Sequence, residues 1–175
     1  MKALEIVGHK NSGKTTLVEY FVERFSRDGF RVAAVKHIHH QFTIDTENKD
    51  TWRMARRGAW LVASVSPNET AVMFHAMNEW ENSLNRLQRI MYDEKVDVAV
   101  FEGFHMVLGG REDVYKIITV KNSHEIAFFL NSLKPPILAV VNISGEIVQN
   151  LPVPLYVPPL SEELYLHTRR GLQLV

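Results

Sequence analysis

The stretch Gly8-His9-Lys10-Asn11-Ser12-Gly13-Lys14-Thr15 fits the pattern G-x-x-x-x-G-K-[ST] in full. Its residue types suit one task, gripping a polyphosphate. Glycines at both ends let the main chain curl so that successive N–H groups face inward as an anion nest. A helix starting near Gly13 adds about half a positive charge at the same point. Lys14 is then placed to bridge the outer phosphates, and the Thr15 hydroxyl to ligate Mg²⁺, with Thr16 near the innermost phosphate. Lys10, Asn11 and Ser12 belong to the same binding loop.

A site of this kind also needs a carboxylate for the metal at the end of an apolar strand. Val96-Asp97-Val98-Ala99-Val100-Phe101-Glu102-Gly103 offers Glu102 directly after such a strand, and Gly103 permits close backbone approach. In open parallel sheets ligands gather outside the carboxyl ends of strands, so Glu102 and Lys14 can converge from distant positions. A second polar cluster, Lys36-His37-Ile38-His39-His40, follows another apolar run, and Asp45, Lys49, Asp50, Thr51 and Arg53 come soon after. These histidines invite a zinc reading, but zinc needs three or four converging ligands and the others are not obvious, so a loop contacting phosphate or a second substrate, or a plain solvated loop, stays open. Asp45 and Asp50 are the candidate acids for orienting a nucleophile, and Arg53 could face a phosphate or a partner subunit.

The elements that must position these residues alternate along the chain. Leu4–Val7 is a short apolar strand, and Leu17, Val18, Phe21, Val22 and Phe25 recur at helical spacing until Asp28-Gly29. Val32–Val35 is the next strand, and Asp50–Arg57 is a short helix stopped by Gly58. Trp60–Val65 and Thr70–Phe74 flank Ser66-Pro67-Asn68-Glu69, which has turn chemistry and predicts a hairpin. Trp80, Leu84, Leu87 and Met91 share a helical face, and Val96–Phe101 suits a strand covered on both sides. Lys116–Val120 and Ile137–Val141 read as strands around a helix at Ser123–Leu130, and Ser161 caps a last helix ended by Gly171. The sum is an α/β, three-layer P-loop NTPase fold with a mostly parallel central sheet and an added β-hairpin. With 175 residues and no linker or repeat, a single domain over 1–175 is expected.

Twenty basic residues balance twenty acidic ones, so nucleic-acid or anionic-membrane binding driven by bulk charge is not expected. The absence of cysteine excludes disulfides, thiolate zinc sites and cysteine nucleophiles. The first apolar run is too short for a signal peptide, and no window reaches the ~18 apolar residues of a membrane span, so a cytoplasmic protein is expected.

Together these blocks resemble the molybdopterin-guanine dinucleotide biosynthesis protein B family of small P-loop proteins. The resemblance rests on Gly8–Thr16, on Val35-Lys36-His37 with His40, and on Asp45 followed by Lys49-Asp50-Thr51, Arg53 and Gly58-Ala59. Phe101-Glu102-Gly103-Phe104 and the weaker Tyr115-Lys116-Ile117 complete it, and it departs at Asn48 (where glycine is usual), His105 and Lys121. It implies a GTP-binding accessory protein, usually a homodimer, with weak Mg²⁺-dependent GTPase activity. Such a protein assists the molybdopterin nucleotidyltransferase that joins GMP to molybdopterin. Carried across, Gly13, Lys14, Thr15 and Thr16 hold phosphates and Mg²⁺, Glu102 serves the metal, and His37, Asp45 and Asp50 lie along the cleft.

The residues themselves leave two other functions open. A P-loop small-molecule kinase would use Asp45 as base and Arg53, Arg56 and Arg57 as a lid. A nucleotide-dependent metallochaperone would use the His37–His40 cluster. Nor do they choose the base, since Val140-Val141-Asn142-Ile143-Ser144-Gly145 lacks the aspartate of the usual guanine reader. Asn142 could read a base edge or cap a turn, and GTP over ATP rests on the resemblance.

Overall fold

Alternating apolar and amphipathic segments become layers in the computed structural model, which describes residues 1–40, 42–75 and 80–174, leaving out the side chains of Trp80 and Glu81. The first half of the chain forms β1 (Lys2–Val7), α1 (Lys14–Arg27), β2 (Val32–Lys36), α2 (Asp50–Arg56), β3 (Leu61–Val65), β4 (Thr70–Phe74) and α3 (Trp80–Asp93). The second half forms β5 (Val98–Glu102), α4 (His105–Leu108), β6 (Val114–Val120), α5 (His124–Ser132), β7 (Ile137–Asn142), β8 (Leu155–Tyr156) and α6 (Glu162–Gly171). They group into two compact units, Met1–His37 with Met91–Val175, and Ile38–Ile90.

The first unit is built on a six-stranded sheet in the order β2-β5-β1-β6-β7-β8, and every ladder in it is parallel. On one face Leu4 and Ile6 of β1 meet Leu17, Phe21 and Phe25 of α1, together with Leu164 and Tyr165 of α6. On the other face Val7, Ile118, Val120 and Val140 meet Ile126 and Phe129 of α5. Each large side chain withdrawn from water contributes about 1.5–3 kcal/mol. The three-layer arrangement follows, because strands apolar on both faces must be covered on both.

The second unit carries α2 and the antiparallel hairpin β3–β4, in which Val65 pairs with Thr70. Ser66 closes the turn as expected, its N–H and its hydroxyl both donating to the Glu69 carbonyl. Trp60 meets Phe74 edge-on at 5.7 Å, and the Arg86 guanidinium lies over both rings. Asn48 has φ +69°, a left-handed conformation that asparagine tolerates better than most residues, which accounts for its standing in for glycine.

Two features differ from the sequence expectation. The proline-punctuated segment contributes an edge strand, β8, which is too short to show a period. A single turn of helix, α4, follows Glu102-Gly103. Gly171 is the last residue of α6, as expected, and a Cβ there would press into the Leu138 side chain. Ser161 does cap α6, accepting the Leu164 N–H at 3.4 Å.

Candidate functional site

The loop between β1 and α1 is shaped by close approach to β6. A Cβ on Gly8 would collide with the Thr119 carbonyl oxygen and with Ser12 Oγ, so only glycine fits there. The Thr119 hydroxyl donates to the Ser12 carbonyl, pinning the far side of the loop, and Ser12 is fully buried. Asn11 at φ +64° and Gly13 at φ +83° turn the chain into α1. Lys10 is exposed at the loop surface.

The head of α1 is left open to an anion. Its N-cap, Gly13, makes no side-chain capping bond, and the first turn holds no acidic residue. The first-turn amides and the helix dipole therefore keep their positive character, as an anion-binding N-terminus requires. The Lys14 ammonium donates to the His9 carbonyl at 2.7 Å. Burial holds that ammonium below the usual lysine range, the Glu102 carboxylate opposes the shift, and the Lys36 ammonium adds to it.

Thr15 and Glu102 meet across the sheet end. The Thr15 hydroxyl lies 3.1 and 3.0 Å from the two Glu102 carboxylate oxygens. Glu102 is 7% exposed, whereas Thr15 is exposed, so the pair opens outward. Lys36 joins them, with Nζ 3.0 Å from Glu102 Oε1 and 3.4 Å from Thr15 Oγ1. The parallel register brings the two within reach, because Lys36 and Glu102 are direct partners of β2 and β5. The sequence puts Lys36 near this sheet edge, in the cluster read as a zinc site or a loop contacting phosphate, but does not pair it with Glu102. Its position at the end of a strand, like that of Glu102, was the available signal.

His37 closes the same end of the sheet. Its Nδ1 lies 3.2 Å from the Gly103 carbonyl and its ring stacks on Phe104 at 5.1 Å. Gly103, at φ +86°, supplies the turn that brings this carbonyl round. Among the described residues no group of three or more histidines and carboxylates gathers as a zinc site would need.

Beside the loop, a cavity of about 380 Å³ opens between Gly13, Thr16 and Leu17 on one side and Val141, Ile143 and Leu160 on the other. Its lining is almost wholly apolar, which suits the faces of a flat ring. Asn142 does not read it. The Asn142 side chain accepts from the Ser144 N–H at 3.2 Å and hydroxyl at 2.9 Å, and donates to the Glu146 carbonyl at 2.9 Å. Of the two roles open to Asn142, turn capping is the one its bonds serve.

Asp45, Asp50 and Arg53 belong to the second unit. Asp45 Oδ1 accepts from the Thr46 N–H and the Thr51 hydroxyl, each at 2.9 Å, while its Oδ2 is buried with no hydrogen-bond partner among the described residues. Asp50 and Arg53 pair at 3.6 Å on α2, where they border a hollow of about 540 Å³ with Met54 and Arg57. Lys116, from the weaker block, is structural: fully buried, it donates to the Arg111 and Lys134 carbonyls.

The family model described as Molybdopterin guanine dinucleotide synthesis protein B, MobB, matches residues 3–143. The chain belongs to this family. A putative molybdopterin-guanine dinucleotide biosynthesis adapter protein of Methanocaldococcus jannaschii is 29% identical over 122 residues, 70% of this chain and 48% of that protein. The molybdopterin-guanine dinucleotide biosynthesis adapter protein of Haemophilus influenzae is 34% identical over 101 residues, 58% and 56% of the two. The chain thus spans about half the length of these curated MobB relatives. The crystal structure of a MobB homolog from Bacillus stearothermophilus has the same fold, with a TM-score of 0.74 and 21% identity over 100% of both chains.

Proposed function

We propose that this chain binds GTP with Mg²⁺ at Gly8–Thr16 and serves molybdopterin-guanine dinucleotide biosynthesis as an adapter for the nucleotidyltransferase that joins GMP to molybdopterin. The observation that carries the nucleotide is the open head of α1 with Lys14 beside it and the Thr15–Glu102 pair in the same first turn. Family membership carries the pathway, and the names of the M. jannaschii and H. influenzae relatives support the adapter role.

The residues fit the metal on their own chemistry. A hydroxyl and a carboxylate are hard oxygen donors, and a cationic ammonium already sits against both. Thr15 and Glu102 would hold Mg²⁺, which supplies charge neutralisation for the phosphates when bound. The chain's own groups do the rest. The loop amides and the head of α1 orient the phosphates, and Lys14 turns from the His9 carbonyl to their oxygens. The apolar cavity beside Thr16 takes the faces of the purine. Guanine over adenine rests on family membership, since Asn142 is committed to its turn.

Turnover is weak in this reading. Orientation of water together with an arginine supplied in trans is worth about 10⁵ in rate, and such groups are what a regulated NTPase borrows from a partner. Asp45 and Asp50 are the acids proposed for activating water, with Arg53 directed to phosphate or to the second copy of a homodimer.

The test is a coupled assay. Formation of the guanine dinucleotide by the nucleotidyltransferase is measured with and without this chain, alongside phosphate release from GTP and ATP. Stimulated GMP transfer with GTP hydrolysis well below one per second supports the adapter role. Fast, acceptor-dependent phosphoryl transfer, or no effect on GMP joining, overturns it.

A further inference from the structure

The Thr15–Glu102 pair is already charge-compensated within the chain. Glu102 is nearly buried, and a buried carboxylate without a cation is costly. Two ammonium groups lie close enough to influence one another, Lys14 and Lys36. Lys14 is engaged with the His9 carbonyl at 2.7 Å. Lys36 is the one that touches the carboxylate, at 3.0 Å, and the Thr15 hydroxyl, at 3.4 Å.

We propose that Lys36 is a resident counter-cation of the Thr15–Glu102 pair, its ammonium occupying the place that a divalent metal takes and yielding it when the metal arrives. This rests on the reading of Thr15 and Glu102 as metal ligands. Two features suit the role. The strand register fixes the Lys36 backbone beside Glu102, so the ammonium is always at hand. Its side chain is 54% exposed and flexible, so it can withdraw along its stem without disturbing the core. A metal must therefore displace one positive charge before it gains the site. The nucleotide-free chain is thereby biased against binding a metal by itself.

The test uses Mn²⁺ as the probe, titrated into nucleotide-free protein and followed by electron paramagnetic resonance. Lys36→Met is expected to bind Mn²⁺ about tenfold more tightly than the wild type, and Glu102→Gln in the same chain is expected to abolish the gain. Equal affinity in wild type and Lys36→Met, absence of binding by both, or a gain that survives Glu102→Gln overturns the proposal. GTP binding is measured on the same preparations. A chain that fails to bind GTP yet shows the Mn²⁺ difference removes the nucleotide reading and leaves Lys36 as the counter-cation.

Discussion

Lys14 and His9 hold the loop closed on itself, the ammonium donating to the His9 carbonyl oxygen at 2.7 Å. The His9 ring is in turn stacked on Phe128 at 5.7 Å and lies against Phe129 at 4.8 Å, so α5 steadies the residue whose carbonyl parks the lysine. The loop is thus preshaped from both sides of the sheet end, by Thr119 and by these aromatics. His9→Ala keeps the carbonyl but removes the ring. An aromatic pair is worth about 0.5–1.5 kcal/mol, so nucleotide affinity should fall roughly two- to tenfold, read by equilibrium titration. Unchanged affinity would show that the ring does not shape the loop.

Gly8→Ala should destabilise the protein and not merely the site. The added methyl meets the Thr119 backbone carbonyl, which cannot swing aside as a side chain would. Overpacking of this kind costs about 1–3 kcal/mol, and in a chain of this size each kcal/mol lowers Tm by roughly 2–4 °C. Scanning calorimetry should show the drop; an unaltered Tm would mean that β1 and β6 separate there at no cost.

The buried carboxyl of Glu5 gives a pH signature. It pairs in register with Lys116 across β1 and β6 and is fully buried. Burial pushes its pKa up to about 8, with the Lys116 ammonium and the Phe104 backbone N–H opposing. The folded chain therefore holds a proton that the unfolded chain releases near pH 4.5. Stability from this group is complete below that value and is lost as pH rises through about 8. Denaturant unfolding of the wild type relative to Glu5→Gln should show this decline between the two pH values, and parallel curves would contradict it.

Filling the apolar cavity should separate base from phosphate. Ile143→Trp places an indole where the ring faces of a nucleotide are proposed to lie. GTP affinity should fall about tenfold or more, while inorganic tripolyphosphate, which has no base, should bind as before. Equal losses for both would place the base elsewhere.

Much of the site was legible because its chemistry is local in sequence. Gly8 to Thr15 declares a strand-loop-helix turn by spacing, and Glu102 follows an apolar run that admits only a buried strand. The parallel sheet and the separate hairpin followed from the same periodicity. What was hidden depended on strand order. That Lys36 faces Glu102 requires β2 to lie beside β5, with β1 outside that pair, and nothing in either strand states its neighbour. The role of Thr119 required the register of β6 on β1, and the commitment of Asn142 required the path of the chain to Glu146. Long-range pairing is written in complementary surfaces, not in any one segment.

The most direct test is a calorimetric titration of GTP in Mg²⁺, made on the wild type and on Lys14→Ala. A hydrogen-bonded charge on phosphate is worth about 1.5–3 kcal/mol, so the variant should bind roughly 10- to 150-fold more weakly while keeping its Tm. A folded Lys14→Ala chain that binds GTP as tightly as the wild type would contradict the assignment of Gly8–Thr16 as the phosphate site.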